Sequence, residues 1–241
     1  MISNLQKEQR AAVGVPPQRQ LMTDDKDEGH IKDKLIRTKQ EWAKEGRLLT
    51  GRPDLGHVNR LPPGQKEVNN WPVLDLGVQP NIQPNAWRLT VDGLIEKPMV
   101  WTLAEFMALP QEEFVSDIHC VTQWSRYDNH WRGVSARRLM ELVRPKPEAR
   151  HVLFHSYDGY TTNVKREVFE DSNVLLASSW DGKPLTREHG GPVRVVIPDW
   201  YFWKSAKWVS RIEFAKDDSP GFWEVRGYHN EGDPWREQRY S

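Results

Sequence analysis

Short apolar segments, rather than long amphipathic ones, dominate the chain from residue 87 onward. Their lengths and their alternating or continuous apolar patterns are typical of β-strands, which we predict at residues 87–91, 114–121, 152–155, 174–178, 192–197 and 209–214. Helical patterns are fewer: residues 33–45, a segment that opens with a capping box at Thr102, and one that Ser135 can cap. Because strands outnumber helices without regular alternation, the sequence predicts an α+β fold built on a mixed sheet.

Composition narrows the class of protein further. The 241 residues carry 34 Lys and Arg against 34 Asp and Glu, so the chain lacks the net positive charge on which non-specific nucleic-acid binding depends. No apolar run approaches the roughly 18 residues of a transmembrane helix. Neither the apolar segment of a signal peptide nor a twin-arginine leader is recognisable, so we expect a cytoplasmic protein. The single cysteine excludes an internal disulfide.

Two regions of different composition divide the sequence. We predict that residues 1–49 form a polar N-terminal arm with one helix, and that residues 50–241 form the main domain. Within that domain, residues 50–84 are rich in Gly, Pro and Asn and show little periodicity. Long irregular segments of this kind often carry function, so we expect part of a site here.

The single cysteine, Cys120, is the first candidate for chemistry. It follows His119 at the end of a predicted strand. A free cysteine is most often buried and inert, but a thiolate is also a nucleophile and a soft metal ligand. A zinc site is not expected, because no paired Cys and His ligands surround it. No nucleophile elbow, phosphate loop or dinucleotide fingerprint is present. Spacing alone leaves the three roles of Cys120 open.

Basic residues in glycine-rich and aromatic loops are the second candidate. Arg194 follows a Gly-Gly-Pro segment, where backbone amides can approach a ligand closely. Lys204 and Lys207 flank Ser205 and Ala206 in a second such segment. Cationic side chains, a hydroxyl and backbone N–H groups together suit a phosphate or pyrophosphate, although a solvated turn with surface lysines fits the same composition. A thiolate beside an anion site favours an organic, phosphate-bearing cofactor whose metal needs one soft protein ligand.

Four motifs occur in the order in which one enzyme family has them: residues 119–125 (HCVTQWS), 155–162 (HSYDGYTT), 189–194 (HGGPVR) and 203–208 (WKSAKW). From about Val68 to the C-terminus, the chain resembles the sulfite oxidase-like molybdopterin-dependent oxidoreductases. The resemblance is greatest to the short bacterial members, which are related to methionine-sulfoxide reductase catalytic subunits. It implies a sulfite oxidase-type molybdopterin-binding domain.

The resemblance also implies a set of site residues. The cofactor is molybdenum bound to the dithiolene of molybdopterin, and Cys120 is the metal ligand and the catalytic residue. The implied cofactor contacts are Asn70, Pro72, Val73, Ser156, His189, Arg194, Ser205, Ala206 and Lys207. Arg194 and Lys207 would hold the cofactor phosphate. His189 stands where the related methionine-sulfoxide reductases usually have Asn.

The implied activity is two-electron oxygen-atom transfer on a small substrate that contains sulfur or nitrogen. Animal and plant sulfite oxidases have an arginine at the position of Asn69, which argues against sulfite as the substrate. The resemblance covers neither their haem domain nor their dimerisation domain, so we expect electrons to be exchanged with a separate protein. Arg126 or Arg132 is a candidate for orienting the substrate, and Tyr157 and Tyr160 for lining the pocket.

Several alternatives stay open at this point. The same site serves either an oxidase or a sulfoxide or N-oxide reductase. A non-catalytic molybdopterin-binding or electron-transfer module would have the same motifs without turnover. A thiol hydrolase would use Cys120 without any metal.

Overall fold

The computed structural model describes residues 25–45 and 60–241. The predicted domain boundary at residue 49 and most of the predicted arm lie outside the described residues. The helices are α1 (Asp25–Glu45), α2 (Leu103–Ala108), α3 (Ala136–Val143) and α4 (Arg166–Phe169). The strands are β1 (Lys66–Glu67), β2 (Arg88–Gly93), β3 (Met99–Thr102), β4 (Glu112–His119), β5 (Trp124–Ser135), β6 (His151–Ser156), β7 (Thr161–Lys165), β8 (Leu175–Trp180), β9 (Lys183–Pro184), β10 (Arg194–Val196) and β11 (Val209–Ala215).

The described strands form two sheets. The six-stranded sheet has the order β1-β5-β8-β10, with β4 paired to β5 and β9 paired to β8. The five-stranded sheet has the order β3-β2-β11-β6-β7. Strand β1 runs parallel to β5 and β2 runs parallel to β11, whereas the other pairs are antiparallel. The predicted α+β fold with mixed sheets is therefore confirmed. No helix in the described ranges is both long enough and apolar enough to cross a membrane.

The six-stranded sheet is buried on both faces where β8 and β10 pair. Leu176 packs into the main core between the sheets, whereas its neighbours Leu175 and Ala177 pack into an aromatic cluster on the other face. Val195 and Val196 of β10 divide in the same way. Successive side chains of a strand point to opposite faces, so a strand buried on both sides needs a continuous apolar run. The aromatic cluster contains Cys120 and is the side on which the site lies.

Helix α1 packs on the main body through a narrow face. Ile36 is buried in the aromatic cluster, and the side chain of Gln40 donates a hydrogen bond to the carbonyl of Arg226 at 3.1 Å. Tyr240 in turn donates its hydroxyl to the carbonyl of Gln40 at 3.2 Å. The helix begins at Asp25, eight residues before the predicted start. Its many charged residues leave only a thin apolar stripe for contact, as the sequence predicts.

Local signals located the capped helices, whereas five of the eleven described strands were missed: β1, β3, β5, β7 and β9. Thr102 forms the predicted capping box with Glu105, and Ser135 caps α3 by accepting from the amide of Arg138 at 3.3 Å. Strands β5 and β7 were not predicted. In β5 the inward-facing positions include a polar residue, Asn129, which is fully buried and hydrogen-bonded to the carbonyl of Ser116 at 3.0 Å. A buried polar residue of this kind interrupts the apolar alternation that marks a strand.

Candidate functional site

A cavity of about 130 Å³ opens beside the aromatic cluster. Its walls come from the loop after Val68, from the turn between β4 and β5, from the segment around residues 188–208, and from α1. The cavity brings together six of the predicted site residues, which are Pro72, Cys120, His189, Arg194, Ser205 and Lys207.

The turn between β4 and β5 presents the thiol of Cys120 to this cavity. The amide of Cys120 donates to the carbonyl of Trp124 at 2.8 Å, and the carbonyl of Cys120 accepts from the amide of Gln123 at 3.0 Å. Gln123 has a φ of 65°, so the chain turns tightly enough to leave Cys120 at the first position after the strand. The Sγ atom lies 3.1 Å from Oγ1 of Thr122. Burial raises the pKa of the Cys120 thiol, and the nearby hydroxyl and the charge of Lys39 oppose that shift.

His189 forms one wall of the cavity by stacking on Trp71. The two ring centroids are 3.9 Å apart, with an angle of 19° between the planes. Nε2 of His189 lies 3.3 Å from the carbonyl oxygen of Trp71, and Nδ1 lies 3.0 Å from Oγ1 of Thr186. Burial lowers the pKa of His189, which favours a neutral ring. The carbonyl can only accept, so Nε2 donates to it and Nδ1 accepts from the threonine hydroxyl.

Arg194 is 2% exposed, and its hydrogen bonds within the described residues go to backbone oxygens. Its guanidinium donates to the carbonyls of His189 at 2.9 Å and Ser205 at 2.8 Å. It also lies over the ring of Phe202, 4.2 Å from the centroid. Burial without a carboxylate partner lowers the pKa of Arg194 to about 9. The fold therefore fixes a cation at the cavity without neutralising it.

Lys207 is a second cation at the same wall. Its Nζ donates to the carbonyl of Glu188 at 2.9 Å. Burial first, and then the charge of Arg194, lower the pKa of Lys207 to about 7. Gly190 has a φ of 101°, and a Cβ placed there would lie 2.9 Å from Cβ of Lys207. Glycine is required at this position both for its conformation and because the lysine stem packs against it.

Four of the predicted contacts do not line the cavity. Asn70 and Val73 are exposed, while Ala206 is buried in the main core. Ser156 is buried, and its hydroxyl has no hydrogen-bond partner among the described residues. Their roles toward a cofactor stay predictions.

The candidates for the substrate pocket differ in position. Arg126 pairs with Asp181 at 3.1 Å and Arg132 with Glu113 at 4.0 Å, and neither arginine lines the cavity. Tyr157 is also outside it and donates its hydroxyl to the carbonyl of Arg88 at 2.9 Å. Tyr160 does line the cavity, and its hydroxyl donates to the carbonyl of Trp203 at 2.6 Å.

Sequence reasoning missed several residues that line the cavity, among them Lys39 of α1 and Trp223 near the C-terminus. Lys39 lies in the part of the chain predicted as an arm, and no local pattern singles it out from the other lysines of α1. Trp223 was expected only to pack. It does stack on Tyr228, with centroids 4.8 Å apart, but both rings also face the cavity. Trp235, the other tail tryptophan, is 46% exposed and meets the ring of His119 edge-on at 6.1 Å.

The residues around the cavity fit the predicted cofactor. None of the ion pairs within the described residues includes Lys39, Arg194 or Lys207, although all three line the cavity. Buried unpaired cations are costly, so their chemistry calls for an anion such as a phosphate. Within the described ranges, no group of three His, Cys, Asp or Glu side chains could hold a metal. A metal bound here needs ligands besides the protein, as one attached to a dithiolene has.

A lone thiol and unpaired cations around one cavity define a protein that binds an anionic, metal-bearing organic cofactor. Residues 76–223 match the family of the oxidoreductase molybdopterin binding domain, and the chain belongs to this family. It is therefore a molybdopterin-dependent oxidoreductase, which confirms the enzyme class and the cofactor predicted from the motifs.

The relatives agree with this assignment. The chain is 46% identical over 183 residues to the uncharacterized oxidoreductase YuiH of Bacillus subtilis (strain 168), covering 76% of this chain and 92% of the relative. It is 30% identical over 161 residues to the protein-methionine-sulfoxide reductase catalytic subunit MsrP of Campylobacter jejuni, covering 60% of this chain and 54% of the relative. It thus spans about half of the length of that reductase.

A solved structure shows the same fold. The sulfane dehydrogenase SoxCD from Paracoccus pantotrophus superposes with a TM-score of 0.53 at 23% sequence identity. The match covers 58% of this chain and 40% of that one. It supports the sulfite oxidase-type architecture that the motifs predict.

Proposed function

We propose that this oxidoreductase reduces a small sulfoxide or N-oxide by two-electron oxygen-atom transfer, with electrons supplied by a separate redox protein. The observation that carries the proposal is the thiol of Cys120 at a cavity whose cations form no ion pair within the described residues. The reductive direction is supported by the 30% identity to a protein-methionine-sulfoxide reductase catalytic subunit.

Molybdenum on its dithiolene supplies a centre that accepts or donates an oxygen atom while it changes oxidation state by two electrons. The chain's residues then have separable tasks. Cys120 provides the one soft ligand, since ligation removes the thiol proton that burial otherwise retains. Arg194 and Lys207 hold the anionic end of the cofactor. Trp71, stacked on His189, covers one side of the cavity and limits the access of water.

The neutral state of His189 matters for this arrangement. A neutral ring adds no third charge beside Arg194 and Lys207, and its two hydrogen bonds fix the ring plane against Trp71. We propose that His189 positions the cofactor by shape and stacking rather than by charge.

The metal content of purified protein tests the proposal directly. Wild type expressed with molybdate should contain close to one molybdenum per chain, and Cys120→Ser should lose at least about tenfold of it, because a hydroxyl is a poor substitute for a soft thiolate. Circular dichroism, and the melting temperature measured on the unloaded proteins, should be the same for wild type and Cys120→Ser, which separates loss of the ligand from loss of the fold.

Activity assays distinguish the proposed reductase from a non-catalytic module and from a thiol hydrolase. With a reduced dye as donor, loaded wild type should reduce dimethyl sulfoxide or trimethylamine N-oxide, and no turnover should be seen without molybdenum. Full loading with no turnover of these compounds, or of sulfite with an oxidised dye, would instead indicate a non-catalytic module. Hydrolytic activity that persists without molybdenum would indicate a thiol hydrolase.

A further inference from the structure

Lys39 of α1 is a cavity residue that the family match does not include, since that match begins at residue 76. The helix carries it to the cavity because Ile36, one turn earlier, is buried in the aromatic cluster. Residues three apart lie on the same face of a helix, so the contact made by Ile36 directs Lys39 inward. The Nζ of Lys39 donates to the backbone carbonyl of Asp75.

The charge of Lys39 is only partly balanced. The carboxylate of Asp75 lies close enough to attract it, but that carboxylate is already bonded to the amide of Gly77 at 2.9 Å and to the side chain of Gln79 at 2.7 Å. Asp75 attracts Lys207 as well, so one carboxylate is shared between two cations. A positive charge therefore remains available to a ligand.

The three cavity cations fall into two groups. Arg194 and Lys207 donate to consecutive backbone carbonyls, those of His189 and Glu188. Lys39 comes from a different element, α1, and lines the same cavity as Cys120. If Arg194 and Lys207 hold the phosphate of the cofactor, Lys39 is left for a second anionic group in the same cavity.

We propose that Lys39 is a specificity-determining residue that binds a negatively charged group of the substrate beside Cys120. The substrate class is then a small anion: an oxyanion, or a sulfoxide or N-oxide that carries a carboxylate. This inference rests on the proposed function for its reaction, but the anion site can be tested without turnover.

The first experiment compares two substrates of matched shape, methylsulfinylacetate and its neutral amide, methylsulfinylacetamide. In Lys39→Met, KM for the anion should rise about tenfold, the effect of one charged hydrogen bond, while kcat and the KM for the amide change less than twofold. Lys39→Arg should stay close to wild type. Lys34→Met is the matched control, because Lys34 is an exposed residue of the same helix that does not line the cavity.

The second experiment measures sulfate binding to molybdenum-loaded protein by calorimetry. Sulfate should bind wild type, and its Kd should rise about tenfold in Lys39→Met with no change in Lys34→Met. The molybdenum and pterin content of Lys39→Met should equal that of wild type.

Three results would overturn the inference: equal increases in KM for both substrates, a loss of molybdenum or pterin in Lys39→Met, or sulfate binding that is absent or independent of Lys39. A loss of cofactor would show that Lys39 serves the pterin rather than the substrate. If loaded wild type turns over neither compound but binds sulfate through Lys39, the proposed function fails and the anion site stands.

Discussion

Lys204 and Lys207 belong to one motif, yet the structure places them in different electrostatic settings. Lys204 is fully buried and pairs with Glu224 at 2.6 Å, and its Nζ also donates to the carbonyl of Asn163 at 2.9 Å. Glu224 accepts further hydrogen bonds from Thr162 and from Trp203, each at 3.0 Å. Lys207 lines the cavity and has no carboxylate at hydrogen-bond distance within the described residues.

The difference indicates which cation serves the fold and which serves a ligand. A buried lysine with a carboxylate partner and several hydrogen bonds is satisfied by the protein itself. A half-buried lysine bonded only to a carbonyl becomes fully satisfied when an anion binds. Composition alone treats both lysines alike, as flanking residues of an anion-binding loop, and only the resemblance to the family selects Lys207.

The largest expected effect is on stability, at the internal pair. Lys204→Met should reduce the free energy of unfolding by about 3–5 kcal/mol, because it leaves Glu224 buried without its cation. Urea denaturation of the unloaded protein measures this. The double variant Lys204→Met/Glu224→Leu should recover most of the loss, and a double variant no more stable than the single one would contradict the account of a satisfied pair.

Lys207 should show the opposite profile, with a large effect on loading and a small one on stability. Lys207→Glu should lower molybdenum and pterin content several-fold, because it places a like charge beside the phosphate. Lys207→Met should change the free energy of unfolding by less than about 1 kcal/mol, since no ion pair is broken. Metal analysis and urea denaturation of the same preparations check both statements. Cofactor content that survives Lys207→Glu would remove Lys207 from the phosphate site.

The smallest effect is a dependence of anion binding on pH. In the unloaded protein the pKa of Lys207 is lowered to about 7, so the residue is charged at pH 6 and mostly neutral at pH 8. Because an anion prefers the charged form, binding at pH 8 requires uptake of a proton and should be weaker. Sulfate does not titrate in this range, and its Kd should rise about threefold to tenfold between these values. Lys207→Arg should flatten the profile, and an equal slope in that variant would assign the effect to another group.

The positive charge that the sulfite oxidases place at the position of Asn69 is absent from this chain, but Asn69 is exposed here and does not line the cavity. A cation reaches the cavity from α1 instead. Asn69 alone therefore does not decide the substrate preference, because Lys39 of α1 also brings a positive charge to the cavity.

The sequence by itself determined strands β2, β4, β6, β8, β10 and β11, the caps of α2 and α3, and the family, because each depends on residues close together in the chain. Cys120, Arg194 and Lys207 could be singled out from their motifs for the same reason. The tertiary structure decided the rest. It brought Lys39 and Trp223 to the cavity, placed Ala206 in the main core, and gave Lys204 a partner while leaving Lys207 without one. Burial and pairing depend on contacts between residues far apart in sequence, and no local pattern records them.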